Sequence, residues 1–218
     1  MNNEFNRKVA IFPLQDIAVL PGETLSLQIF EPRYRKMIQE VEANDYLLGV
    51  SLAKETIHKA ELKYNDNPLT RNLDLYQPHS IFGCGPITIK ERLADERILI
   101  DLHVNAKVEV IEITQTLPFY LATVRAKPMV ASDVGEQELL DELKTDFMLL
   151  VNSIDANASM TIHRQIQTLD LEQLIIFMFS LIRFSGEFKQ SLLEQESWHD
   201  CTKLMIKKIP DYFPRTAH

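Results

Sequence analysis

Two hydrophobic periods divide this chain. Up to about residue 128 apolar residues tend to recur at every second position, and from about residue 133 they recur every third or fourth. The first period belongs to strands with one buried face, the second to helices with an apolar stripe. Within residues 24–30, Leu25, Leu27 and Ile29 alternate with polar neighbours. Further strands are expected at residues 9–13, 47–52, 81–89, 97–105, 107–114 and 119–126. Between the first two lies Val19-Leu20-Pro21-Gly22-Glu23, where the Pro-Gly pair marks a turn. About six strands with short links favour a closed or nearly closed antiparallel sheet, because closure hides unpaired edges.

One helix interrupts this β region. Pro32 suits its first position, where a missing N–H costs nothing, and Tyr34, Met37, Ile38 and Val41 follow at helical spacing. Residues 54–79 are polar and irregular, include Asn65-Asp66-Asn67-Pro68, and read as a surface insertion with a short strand near residues 73–76.

The helical part opens with residues 136–153, whose apolar side carries Leu139, Leu140, Leu143, Phe147, Leu150 and Val151. Glu136, Glu138, Asp141 and Glu142 suit the positive end of that helix dipole. Asp170 and Gln173 form a capping-box pattern ahead of a helix over 174–184, which Ser185-Gly186 is expected to stop. A short helix over 188–195 follows, and Ser197 caps a last one ending at Pro210. The expected fold is α+β: an antiparallel pseudo-barrel of about six strands with one packed helix at residues 1–130, then an α-helical bundle at 131–218.

Composition excludes several functions. The formal charge is −8, with no dense Lys/Arg patch beyond Lys203, Lys207 and Lys208, so nucleic acid is not an expected partner. The longest strongly apolar run, residues 174–182, is too short for a bilayer, which needs roughly 20 residues. The amino terminus lacks the apolar core of a signal peptide, and a cytoplasmic location is expected. Cys84 and Cys201 lack C-x-x-C spacing and read as free buried thiols, with a bridge between them as the second choice.

The opening strings Ile11-Phe12-Pro13-Leu14, Val19-Leu20-Pro21-Gly22, Leu25-Ser26-Leu27-Gln28-Ile29 and Phe30-Glu31-Pro32-Arg33-Tyr34, with Met37 in the helix after them, resemble the signature of the amino-terminal domain of Lon proteases. Phe82-Gly83-Cys84-Gly85 and Pro118-Phe119-Tyr120-Leu121-Ala122 resemble later strands of that family, and residues 169–209 its terminal helical segment. The chain departs from the pattern at Leu93-Ala94-Asp95-Glu96-Arg97, where the family has a Pro-Asp-Gly-Arg hairpin, and around residues 104–110.

The resemblance implies a stand-alone, non-catalytic module that recognises unfolded or tagged polypeptide or modulates a protease in trans. The implied partners are polypeptide substrates or a protease or chaperone, with a homodimer left open; a hydrolase with an unrecognised site, or a structural subunit, is the alternative. No phosphate-cradling G-x-x-x-x-G-K-[ST] and no G-x-S-x-G are present, so neither the ATPase nor the protease module is expected, nor any cofactor. Lys189 with Ser191 faces apart on a helix, and His199-Asp200-Cys201 lacks metal-ligand spacing. His103 with Asp101 or Ser80 is the remaining enzymatic constellation. Phe30, Glu31, Arg33 and Tyr34 are the candidate peptide-binding or junction residues, with packing preferred over ligand contact: Phe30 to anchor the helix, Glu31 and Arg33 to cap or to pair. The stripe Leu174, Ile175, Phe177, Met178, Leu181 and Ile182 reads as a buried helix, with a partner groove as the second choice.

Overall fold

The computed structural model describes residues 7–60, 69, 71–130 and 135–213. Asn65-Asp66-Asn67-Pro68 of the insertion lies outside these described residues. The strands are β1 (Arg7–Leu14), β2 (Thr24–Ile29), β3 (Leu47–His58), β4 (Leu75–Pro78), β5 (Ile81–Gly85), β6 (Ile87–Arg92), β7 (Ile98–His103), β8 (Ala106–Gln115) and β9 (Tyr120–Ala126). The helices are α1 (Pro32–Asn44), α2 (Glu136–Ile154), α3 (Ala156–Ile166), α4 (Leu171–Leu181), α5 (Gly186–Leu193) and α6 (Trp198–Lys208), followed by a 3-10 turn at Ile209–Tyr212.

The chain divides into two compact units, Met1–Pro128 with Ser185–Glu194, and Met129–Phe184 with Gln195–His218. In the first, β1, β9, β8, β5 and β3 close into a five-stranded barrel, because β1 pairs with both β9 and β3. The β1–β3 pair is parallel, from Val9↔Leu47 to Leu14↔Leu52, so the barrel is not antiparallel throughout. A parallel pair needs a long crossover, and residues 15–46 supply it with β2 and α1. β2, β7 and β6 form a separate antiparallel sheet, and β4 extends the β3 edge.

Both faces of β1 are buried, which explains its unbroken apolar run. Val9 and Ile11 join Phe82, Cys84, Val108, Tyr120 and Val124 in one core cluster. Ala10 and Phe12 join a second one with Tyr34, Met37, Ile38 and Val41 of α1 and Ile98, Ile100 and Leu102 of β7. The Pro21-Gly22 turn forms as expected: Gly22 has φ 94, which a glycine adopts at low cost, and its N–H donates to the Val104 carbonyl at 2.8 Å.

Other segments differ from the sequence reading. Residues 54–58 continue β3 and pair with β4 instead of looping out. Their side chains are exposed, so no two-residue apolar period betrays the strand. α3 has no counterpart in the sequence reading, since Ile166 is its one side chain shown as buried, against five on α2. Burying such a residue contributes only roughly 2 kcal/mol. Asp155 starts α3 by accepting the N–H groups of Asn157 and Ala158 at 2.9 and 3.4 Å.

The capping box at Asp170 and Gln173 is present, but α4 ends at Leu181 rather than at Ser185-Gly186. Ser185 instead caps α5, its Oγ accepting the Phe188 N–H at 3.2 Å. That helix lies on the barrel unit, against β3 and β5, although the sequence reading grouped it with the bundle. Two polar contacts tie it there: the Gln190 amide donates to the Ile81 carbonyl at 3.1 Å, and Lys189 pairs with Glu23 at 2.5 Å.

Candidate polypeptide-binding surfaces

The strand-to-helix junction holds the residues singled out from the sequence. Phe30 is half-buried, and the deep anchor beside it is Ile29. Glu31 occupies the position before α1 without capping it through its side chain. Its carboxylate instead meets Arg33 at 2.8 Å and accepts the Leu73 N–H at 2.8 Å. Arg33 donates from Nη2 to the Asp74 carbonyl at 2.6 Å, its backbone N–H donates to Asn72 Oδ1 at 3.0 Å, and its guanidinium lies 4.5 Å from the Tyr34 ring centre. Tyr34 in turn packs on Phe12 with ring centres 4.2 Å apart.

Glu31, Arg33 and Tyr34 are all buried, so they fasten the far end of the insertion to α1. Burial raises the Glu31 carboxyl above its ordinary range despite the Leu73 N–H and Arg33. The Tyr34 phenol is raised for the same first reason. Glu31 and Arg33 are engaged with the backbone of residues 73 and 74, while Phe30 stays half-buried.

The enzymatic constellations are taken up by local bonds. His103 shares hydrogen bonds with Thr24 at 3.3 Å and Thr88 at 3.1 Å, while Asp101 accepts from Ser26 at 2.7 Å and pairs with Lys90 at 2.9 Å. Those two bonds hold the Asp101 carboxyl below its ordinary range. Lys189 is paired with Glu23, and Ser191 Oγ donates to the Phe188 carbonyl at 2.7 Å. Asp200 belongs to the Ser197 cap of α6. Among the described residues no group of three or more His, Cys, Asp or Glu side chains is placed to hold a metal ion. Cys84 and Cys201 are free and buried, and burial pushes the Cys84 thiol up to about 12.

A candidate surface lies in the helical unit. Leu174, Ile175 and Met178 of α4 are buried against the bundle, as the preferred reading of that stripe requires. The stripe changes character at its end. Leu181 and Ile182 reach a groove of about 170 Å³ whose other walls are Phe147, Val151 and Ile154 of α2 and Ile162 of α3. Ile154 is 66% exposed and Leu181 51% exposed on its rim. Asp155, the charged residue in the lining, is already committed to the α3 cap. Ligand grooves of this kind are mostly apolar with few polar groups. Sequence periodicity ranked a groove second because the same stripe supplies buried and rim positions alike.

Among the described residues no helix is long and apolar enough to cross a membrane. Comparison with known proteins places this architecture. The chain is 25% identical over 133 residues to Lon protease 1 of Herpetosiphon aurantiacus, a match covering 61% of this chain and 15% of that protein. It therefore spans a small part of that relative's length. The N-terminal domain of the Mycobacterium avium complex Lon protease superimposes with a TM-score of 0.70 at 14% identity, covering 95% of this chain and all of that one. The Lon N-terminal domain protein of Xanthomonas campestris gives 0.57 at 15% identity, over 95% and 99%. These two likenesses establish the fold. Residues 8–207 match the family described as the ATP-dependent protease La (LON) substrate-binding domain, and the chain belongs to that family.

Proposed function

We propose that this protein recognises polypeptide, holding an extended apolar segment in the groove between α2, α3 and the end of α4. The groove carries this reading: it is apolar, open to solvent, and flanked by the exposed side chains of Ile154 and Leu181. Exposed apolar side chains gathered around one groove, unlike scattered ones, are characteristic of a docking site. Membership of the substrate-binding domain family of an ATP-dependent protease supports polypeptide as the occupant. Recognition of this kind uses apolar side chains as anchors and leaves catalysis to other modules.

The test is binding of a fluorescently labelled, unstructured peptide of alternating leucine and serine, followed by anisotropy. Leu181→Asp and Ile154→Asp each place a charge on the rim without opening the core. Both variants are expected to lose binding while keeping the wild-type circular dichroism and melting temperature. Unchanged affinity in both would remove the groove from the reading.

A further inference from the structure

Among the described residues the barrel unit carries a strand edge with no partner strand. β1 stops at Leu14, opposite Leu52, but β3 runs on to His58. The other side of β3 is occupied by β5 and then β4, with the Leu52 carbonyl accepting the His79 N–H at 3.2 Å. On the side that β1 vacates, no strand among the described residues pairs with Lys54–His58. An edge of this kind presents backbone donors and acceptors to any extended chain of matching chemistry.

The groove along this edge has a volume of about 250 Å³, and its lining includes Gln15, Asp16, Lys54, Glu55, Tyr76 and Glu187. Its closed end is built tightly. A Cβ at Gly186 would stand 2.4 Å from the Asp16 carbonyl carbon, so the first turn of α5 lies directly on the turn that ends β1 and brings Glu187 alongside. Three carboxylates, Asp16, Glu55 and Glu187, face one ammonium, Lys54, and none of these carboxylates has an ion pair among the described residues. The twofold register shift against β4 places the extra residues on β3, and Lys54 stands on the edge, two devices that discourage indiscriminate pairing. A second copy of this chain would bring the same carboxylates to the same place and be repelled.

From this charge balance we infer that the open edge of β3 docks an extended polypeptide segment bearing lysine or arginine, added to the sheet as a strand. The inference rests on the proposed role in polypeptide recognition and adds to it a second subsite of opposite chemistry. Main-chain hydrogen bonds would supply the affinity, and the carboxylates the choice of sequence.

The probe is a labelled hexapeptide of alternating valine and lysine, with a valine–glutamate peptide as control, offered to the full chain. The lysine peptide is expected to bind and the glutamate peptide not. Glu55→Gln with Glu187→Gln should weaken the lysine peptide by about fivefold, as two exposed charge pairs imply. Backbone amides of residues 54–58 should gain protection from hydrogen exchange. Absence of binding, equal affinity in the double variant, or protection confined to other segments would each overturn the inference. The leucine–serine peptide separates the two readings: if it alone binds, this inference falls and polypeptide recognition stands. If neither peptide binds, both fall.

Discussion

Glu31 and Arg33 face each other at 2.8 Å across Pro32, with side chains only 9% and 5% exposed, and both hold the same short run of backbone. Glu31 accepts the Leu73 N–H and Arg33 donates to the Asp74 carbonyl, so one buried pair fixes the entry to α1 and the return of the insertion into β4. Breaking a buried pair from one side leaves an uncompensated charge, which is a larger loss than the pair's own net value. Glu31→Ala is therefore expected to destabilise the protein by about 3 kcal/mol in urea unfolding. Arg33→Lys keeps the charge but loses the planar fork, and should also fail to restore stability. Amides of residues 73–76 should exchange faster in both variants. A loss below about 1 kcal/mol would assign the anchoring to other contacts.

The same carboxylate makes stability depend on pH. Burial raises the Glu31 carboxyl above its ordinary 4.5, ahead of the lowering by Leu73 and Arg33. The folded chain thus holds this proton more tightly than the unfolded chain does. Its contribution is complete below the unfolded range and is lost as pH rises through the folded range above 4.5. Asp101 and Glu109 shift downward and act in the opposite sense, but both are common to wild type and variant. The stability of wild type minus that of Glu31→Gln should fall as pH rises from about 4 to about 7. Melting temperatures across that range decide it, and a difference that grows with pH would reverse the sign of the assignment.

What was legible in the sequence follows where side chains are buried. The alternation of β2, the turn at Gly22 and the buried face of α2 could be read because each forces a residue type at each position. The edge of β3 beyond Leu52 and the helix α3 could not, since exposed side chains leave the period unmarked. The parallel β1–β3 pair is a tertiary choice that neither strand's own sequence records. The candidate groove was half visible. Leu174 and Leu181 share one stripe, and only packing against α2 and α6 determines that the first is buried and the second exposed. The Phe30–Tyr34 signature was conspicuous for a different reason: its charged members, Glu31 and Arg33, are fixed by the backbone of Leu73 and Asp74 that they hold.

The hairpin that departs from the family pattern offers a test of backbone strain. β6 and β7 are joined through Leu93, whose N–H donates to the Arg97 carbonyl at 2.8 Å, while the Glu96 N–H donates back to Leu93 at 3.0 Å. This turn requires a left-handed residue, and Glu96 supplies it with φ 69. A residue with a Cβ is disfavoured there by roughly 1 kcal/mol relative to glycine. Against this stands the ion pair of Glu96 with Arg35, but the Glu96 side chain is 78% exposed, and pairs so exposed contribute little. Relief of strain should therefore prevail. Glu96→Gly is expected to raise stability by about 0.5 kcal/mol after the added freedom of the unfolded chain is subtracted. Glu96→Gln, which removes the charge of the pair, leaves the strain and spares the Arg35 bond to the Leu69 carbonyl, should change stability by less than about 1 kcal/mol. Urea unfolding of both variants separates the terms. Destabilisation by Glu96→Gly matching that by Glu96→Gln would show that the ion pair, not the backbone, governs this turn.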